Sequence, residues 1–241
     1  MLSRFVRNFF ALTFAALMQA PMQAPMQAQP PAPADGPTEL IVTYRCPPPR
    51  RAAFRQFMVE NGIQRFEHWK QDGLLKDYRF LFSSYVDVDE WDAMAILSFA
   101  NYAQVTRWKS IEHASPGGLI RDALEMAWPL NTTPADLIFH GESPTPADPA
   151  SNVYYAVAFD APTVTAFRAY ANAEVSMLNA WLNSGVANYR IYANRYPGGK
   201  HWQGLVVLEY RDMEAFAHAR ELPELTITHR EPVLADAIIA H

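Results

Sequence analysis

The chain has 241 residues and a formal net charge of −5; 50% of its residues are apolar and 13% are aromatic. This composition excludes a disordered chain and supplies enough large side chains for a packed core. The Lys and Arg residues are scattered along the sequence, so no nucleic-acid partner is expected.

The first 28 residues have the pattern of an export signal. Arg4 and Arg7 supply the positive region, and residues 9–18 are apolar except for Thr13. This stretch is too short to span a bilayer comfortably. We therefore predict a signal peptide at residues 1–28 and a periplasmic or secreted protein. An uncleaved anchor and a mitochondrial presequence are the alternatives, and no later stretch predicts a transmembrane segment.

A proline-rich linker follows at residues 29–37. Proline at this density disfavours both helix and sheet and is typical of an extended, solvated segment. The folded part is therefore expected to begin at residue 38.

The first predicted unit covers residues 38–145 and alternates strands with helices. Residues 40–44 are β-branched and aromatic, which predicts a strand. Apolar residues from Phe54 to Trp69 recur at helical spacing, and Gly73 is placed to end that helix. The remaining predicted elements are a strand hairpin at 78–85 and Ala93–Phe99, short helices at 100–110 and 119–127, and a last strand at 136–140.

The second predicted unit covers residues 146–241 and repeats that order. Its elements are a strand at Val153–Phe159, a helix over 167–182, a hairpin at 189–196 and Gly204–Tyr210, a short helix at 213–220 and a strand at 235–239.

The two units share an internal repeat, in which residues 78–105 align with residues 189–216 without a gap. The matching positions include Tyr78/Tyr189, Arg79/Arg190, Tyr85/Tyr196 and Trp91/Trp202, and upstream Trp69 and Gly73 recur as Trp181 and Gly185. Residues kept in both copies are those that each unit needs to fold, so the repeated aromatic positions are predicted to lie in the core. The arginine pair has two interpretations, a salt bridge within the fold or a guanidinium near an anionic ligand.

The order of elements in each unit is the βαββαβ pattern of the ferredoxin-like fold. A sheet with helices on one face leaves its other face bare, and each unit alone would expose more apolar surface than a soluble monomer tolerates. The sequence therefore predicts an α+β fold in which two tandem ferredoxin-like units close into one intramolecular barrel.

This organisation resembles the dimeric α/β-barrel superfamily and its tandem-duplicated members. The resemblance covers residues 38–241 and rests on the element order, the recurrent Trp–Gly and Tyr-Arg positions and the closing Ala-Asp strand. It implies a ligand cavity, and a cofactor-independent oxygenase, isomerase or cyclase acting on an aromatic or apolar substrate. The alternatives are a non-catalytic binding or structural protein with a filled cavity, and a haem-binding protein. Whether the chain is an enzyme stays open at this point.

Four residues are candidate catalytic groups. His68 and His201 occur in only one copy of the repeat, and histidine titrates near neutrality, as a general acid or base requires. Tyr78 is a second type of proton donor, and Arg79 is suited to holding an anionic group.

Four further residues are candidate ligand-binding groups: Tyr44, Tyr155, Tyr189 and Arg190. Tyrosines in an aromatic interior would bind a flat or hydrophobic molecule through a few hydroxyls. The alternative is that they fill the core.

No metal site is predicted, because the sequence has no paired cysteines and no His-Glu-x-x-His. No cofactor is predicted either; haem would require His68, His113 or His218 to face an apolar cavity. The lone cysteine, Cys46, excludes an intramolecular disulfide and is expected to be a buried, inert thiol. The expected partner is a small apolar or aromatic molecule, and the expected assembly is a monomer or a homodimer.

Overall fold

A computed structural model describes residues 38–145, 147–182, 185–196, 202–218 and 228–239. The predicted signal peptide and linker lie outside these residues, as does His201.

Eight strands and six α-helices make up the described fold. The strands are β1 (Thr38–Arg45), β2 (Asp77–Ser83), β3 (Ala93–Phe99), β4 (Trp128–Glu142), β5 (Val153–Phe159), β6 (Val186–Asn194), β7 (Gly204–Tyr210) and β8 (Val233–Ala237). The helices are α1 (Arg51–Phe57), α2 (Ile63–Gln71), α3 (Tyr102–Ala114), α4 (Arg121–Leu124), α5 (Val164–Trp181) and α6 (Met213–His218). A π-helical turn at Met58–Gly62 joins α1 to α2.

The eight strands form one closed antiparallel barrel in the order β1-β3-β2-β8-β5-β7-β6-β4. The predicted fold class, two ferredoxin-like α+β units, was therefore wrong. A ferredoxin-like unit has an open sheet with two free edges, whereas here β2 pairs with β8 and β4 pairs with β6. One continuous hydrogen-bonded sheet results, and the few helices lie outside it.

β4 is the element that the sequence predicted least well. The prediction placed a strand at 136–140, but β4 has 15 residues. Its first part pairs with β1 and its second part pairs with β6, so one strand serves both neighbours. Pro129 and Pro134 lie within it, and proline is normally evidence against a strand because it donates no ladder hydrogen bond.

Alternate side chains divide the barrel into an interior and an outer surface. Inward residues of the first half (β1–β4) include Ile41, Leu81 and Ile96, and those of the second half (β5–β8) include Leu205 and Val233. The outward residues form two further apolar clusters beneath the helices, one in each half.

The helices cover the outer surface through large aromatic side chains. In the first half Trp69 of α2 meets Trp108 of α3 edge-on, with 5.1 Å between the ring centroids. In the second half Phe167 of α5 packs against Phe159 of β5 at 5.5 Å. Gly73 ends α2 with a φ of +66°, which confirms its predicted capping role.

Most of the repeated aromatic residues are buried as predicted, but one pair is not. Trp91, Trp202 and Tyr189 are each at most 8% exposed. Tyr85 and Tyr196, in contrast, are 70% and 65% exposed. They lie beyond the ends of β2 and β6, where the chain has left the sheet. No helix within the described ranges has the length and apolar character that crossing a membrane requires.

The close contact of α5 with the barrel yields a stability prediction. A Cβ added at Gly204 would lie 2.0 Å from Cζ of Phe167, a fully buried ring. Gly204→Ala is expected to lower the free energy of unfolding by about 1–3 kcal/mol, as overpacking does, measured by urea denaturation.

Gly62→Ala is the matched control for that substitution. The added Cβ there meets the side chain of Met58, which is flexible, and alanine favours a helical backbone by about 1 kcal/mol over glycine. Equal destabilisation by both substitutions would contradict the packing of α5 described here.

Candidate functional site

The barrel interior carries polar groups at both ends, separated by a largely apolar layer. Thr43 and Glu39 point inward from β1 and are four residues, or about 13 Å, apart. Ile41 lies between them on the same face, within the apolar interior cluster. The two ends are therefore separate candidate sites.

The first end holds a pocket between two buried tryptophans, which we call the tryptophan pocket. It offers about 70 Å³ to the centres of water-sized molecules, and about 520 Å³ when all the space between its lining atoms, including the part open to solvent, is counted. A water molecule needs roughly 10–15 Å³ by the first measure, so several would fit. The lining residues are Thr43, Asp89, Glu90, Trp91, Met94, Leu130, Asn131, Ala156, Ala158, Trp202, Leu205, Arg230, Glu231 and Val233.

Hydrogen bonds to neighbouring segments hold both tryptophans at this end. Asp92, next to Trp91, accepts hydrogen bonds from the backbone N–H of Cys46 at 2.9 Å and from Nε of Arg51 at 3.0 Å. The carbonyl of Trp202 accepts a hydrogen bond of 2.8 Å from the side chain of Asn194. Asp92 and Asn194 are themselves buried, so these hydrogen bonds hold the segments that carry the two tryptophans in place.

The lip of the tryptophan pocket is acidic. Asp89, Glu90 and Glu231 line it, and burial, more than any neighbouring charge, raises the pKa of Glu90 above its ordinary value. Arg230 also lines the pocket, but its guanidinium is bound to Asp160, with Nη2 at 2.9 Å from Oδ1 and Nε at 3.1 Å from Oδ2. A carboxyl group with a raised pKa at the edge of a chamber lined by both polar and apolar side chains is suited to exchanging protons with a bound molecule.

The opposite end holds a buried polar group, which we call the arginine cluster: Arg79, Arg190, Glu39, Glu209, Tyr154 and Tyr192. Glu39 accepts a hydrogen bond of 2.6 Å from Ser98. Burial raises the pKa of Glu39 to about 7, opposed by the Ser98 hydrogen bond and by the positive charges of Arg190 and Arg79.

Tyrosine hydroxyls complete the arginine cluster. Burial raises the pKa of Tyr154 and of Tyr192 above their ordinary values, and the nearby carboxylates of Glu209 and Glu39 raise them further. Tyr192 lies beside Arg190, whose positive charge and hydrogen bonding oppose this rise in the pKa of its hydroxyl.

The structure does not bring the four predicted catalytic residues together. His68 is on the outer surface of α2, 68% exposed and 3.3 Å from Asp72. Tyr78 lies between sheet and helix and donates a hydrogen bond of 3.2 Å to Glu67. Arg79 points into the barrel, in the arginine cluster. His201 lies outside the described residues, and none of the other three lines the tryptophan pocket.

The four predicted ligand-binding residues are likewise divided between the two faces of the barrel. Tyr44 is fully buried beneath the helices and donates a hydrogen bond of 2.5 Å to the carbonyl of Gly117. Tyr189 donates one of 2.7 Å to Asn179, and Tyr155 packs against Phe216 at 5.4 Å. All three tyrosines point away from the interior, and Arg190 points into it.

Sequence reasoning missed the acidic residues that line the pocket. Asp89, Glu90 and Glu231 lie in connecting segments and carry no local motif. Glu39 was also missed, although a glutamate at the start of an otherwise apolar strand is unusual and signals a buried polar contact. The buried, inert state expected of Cys46 is confirmed, because the thiol is buried and burial raises its pKa to about 12.

The described residues do not fit a haem site. A haem ligand must face a large apolar cavity, but the apolar pocket beneath α5 offers only about 30 Å³ to the centres of water-sized molecules and has no histidine in its lining. The histidines in the described ranges are all exposed: His68, His113, His140, His218 and His229. Within the same ranges, no cluster of three metal-binding side chains occurs.

Comparisons with known proteins identify the fold and nothing finer. No family model matches the sequence, and no curated protein matches it. A protein from Lactobacillus acidophilus NCFM provisionally described as a monooxygenase has a TM-score of 0.52 and 12% identity over 84% of this chain and 94% of that one.

Two other solved structures are similar to the same extent. An anthrone oxidase-like protein has a TM-score of 0.55 and 9% identity over 85% of this chain and 91% of its own. A mutant chlorite dismutase from Candidatus Nitrospira defluvii has a TM-score of 0.52 and 11% identity over 83% and 91%. Such neighbours belong to the dimeric α/β-barrel superfamily, so the resemblance inferred from the sequence is confirmed at the level of the fold.

The buried carboxyl of Glu39 predicts a specific pH dependence of stability. Its pKa is about 7 in the folded chain and near 4.5 otherwise, so the folded state binds the extra proton between these values. The free energy of unfolding should therefore fall by about 2–3 kcal/mol as the pH rises from 4.5 through 7. Glu39→Gln should abolish this fall, because the amide still accepts the Ser98 hydrogen bond and carries no charge.

Urea denaturation between pH 5 and pH 8 measures this effect, with Glu125→Gln at an exposed position as the control. Glu39→Gln should be more stable than the native chain at pH 8. A variant that is less stable at pH 8 would show that the carboxylate itself is required.

Proposed function

We propose that the tryptophan pocket binds a small apolar or aromatic molecule and that Glu90 exchanges a proton with it. The single observation that supports this proposal is the position of a half-buried carboxyl group, with a raised pKa, at the mouth of a chamber bounded by Trp91 and Trp202. The chain would then be an enzyme of the oxygenase, isomerase or cyclase kind that needs no cofactor.

The shape and lining of the pocket favour a ligand with an apolar end. The more buried part of the lining consists of Met94, Leu205, Val233 and two alanines. Apolar groups gain free energy there in proportion to the area removed from water. The wider mouth, where the carboxylates lie, would hold the polar end of the molecule.

Proton exchange is the step that these enzyme classes share. Ionised Glu90 would take a proton from a carbon or oxygen atom of the ligand and, once protonated, return one to the product. Its raised pKa brings the carboxyl closer to neutrality, where a general base works best. His201 directly precedes Trp202 in the sequence, and its catalytic role stays a prediction.

One observation supports the non-catalytic alternative. Below the pocket, the barrel is filled by a continuous apolar layer that includes Ile41, Leu81, Ile96, Ala135 and Val207. The same layer would be present in a protein that holds a ligand passively at the mouth of the pocket. It would also be present in a barrel with a structural role only. The test below therefore measures binding and proton exchange separately.

Location, partners and origin are further proposals that rest on the sequence alone. Residues 1–28 support export to the periplasm or the medium, and the repeated segments 78–105 and 189–216 support a tandem duplication. We further propose that the partner is a small apolar or aromatic molecule and not a nucleic acid. The proposed assembly is a monomer or a homodimer.

Binding is tested with 2-tetralone, a flat ketone, by titration of tryptophan fluorescence. Ala158→Leu, which adds bulk to the pocket lining, should weaken binding at least about 10-fold, because a filled pocket excludes the ring. Ala237→Leu is the matched control: it is also a partly buried, inward-facing alanine, but it lies outside the pocket. Equal affinities of the two variants for 2-tetralone would show that the ligand does not bind in this pocket.

Proton exchange is tested with the same ketone in D₂O by NMR. The native chain should accelerate deuterium incorporation beside the carbonyl, and Glu90→Gln should slow it about 100-fold. Binding without any acceleration by the native chain would contradict the enzyme proposal and support the passive one.

A further inference from the structure

The charges around the tryptophan pocket indicate the class of ligand more narrowly. Three carboxylates line the lip, from Asp89, Glu90 and Glu231. Of the described lining residues, Arg230 is the one basic side chain, and its guanidinium is already bound by Asp160. The charge that the described lining residues present to a ligand is therefore negative.

The hydrogen-bonding capacity of the lining has the same bias. Carboxylates only accept hydrogen bonds, and Thr43 and Asn131 can accept as well as donate. A ligand with an anionic group would meet like charges at the lip. A ligand that donates hydrogen bonds or carries a positive charge would satisfy these groups.

The walls of the pocket are a second, independent feature. Trp91 and Trp202 both line the cavity and are 8% and 7% exposed. The face of an indole ring attracts a cation through its quadrupole, and this attraction is strongest where water is excluded. Met94 adds a polarisable side chain to the same chamber. Aromatic walls below a ring of carboxylates form a typical receptor for an organic ammonium group.

We propose that the ligand of the tryptophan pocket is an organic cation, an amine or quaternary ammonium compound with an apolar or aromatic body. This inference rests on the proposed function, because it concerns the same pocket, and it adds the charge of the ligand. The ammonium group would lie between the tryptophans and the lip, and the apolar body would fill the chamber.

The pH should modulate this binding through Glu90. The charged groups that face its carboxyl are Arg230 and Arg45, which favour its ionised form, and Asp87 and Asp89, which oppose it. A bound cation favours the ionised form too, so cation affinity should rise as the pH increases through the pKa of Glu90 and then level off.

The experiment uses two probes of the same shape and different charge. Phenyltrimethylammonium is a permanent cation, and tert-butylbenzene is its neutral isostere. Titrated into the full chain and followed by tryptophan fluorescence at low salt, the cation should bind about 10-fold or more tightly than the isostere. Salt should reduce the preference, because the lip is exposed to solvent.

Two variants test the origin of the preference. Glu231→Gln removes one charge from the lip and should lower the cation-to-isostere affinity ratio about 3- to 10-fold. Glu214→Gln removes a charge at an 85% exposed position on α6, outside the pocket, and should leave the ratio unchanged.

The outcomes separate this inference from the proposed function. If 2-tetralone binds in the pocket and the cation binds no more tightly than its isostere, the inference is overturned and the proposed function stands. If the ratio is the same in Glu231→Gln and Glu214→Gln, the lip does not select charge and the inference is again overturned. If neither 2-tetralone nor the cation binds, both proposals fail.

Discussion

Closure of the sheet at two seams is the constraint on which the rest of this structure depends. β2 pairs with β8 at one seam, and β4 pairs with β6 at the other. Together these pairings give each of the eight described strands two neighbours, and an unpaired edge would be a liability for association with other chains. Arg195 reinforces the second seam, because its guanidinium binds Asp136 of β4 and donates a hydrogen bond of 3.0 Å to Thr38 of β1. Each half of the chain thereby covers the inward apolar surface of the other.

Closure also explains why the interior has two polar ends. A barrel of eight strands is just wide enough to be filled by side chains along most of its length. The filling is largely apolar in the middle, and most of the polar groups lie at the two ends. At one end the arginine cluster groups Arg79 and Arg190 with two glutamates and two tyrosine hydroxyls. At the other end, the filling leaves a cavity between Trp91 and Trp202 that opens to carboxylates. The proposed function needs only this second end.

Local sequence patterns predicted the strands well and the site poorly. Three strands begin and end at the predicted residues, because at their ends the apolar β-forming residues give way to polar or glycine-rich turns. These strands are Ala93–Phe99, Val153–Phe159 and Gly204–Tyr210. β4 was not predictable in full, because its pairing is decided by two neighbours on different sides and it contains two prolines. The direction of each side chain was also not predictable, since β3 is buried on both faces and shows no alternation. Asp89 and Glu231 line the same pocket because β2 pairs with β8 at the first seam, which brings their connecting segments to the same end of the barrel.

The most direct test of the two-seam barrel is native-state hydrogen exchange on the full chain, with opening free energies resolved for the strands of each half. If each half depends on the other, the central amides of β3 and β7 should exchange through the same global opening, with the same dependence on urea. The alternative is that the amides of one half exchange through a separate opening, whose free energy is more than about 2 kcal/mol lower than that of the other half. That result would show that the halves are independent. That result would contradict the closed barrel as the cooperative unit and remove the basis for a pocket built from both halves.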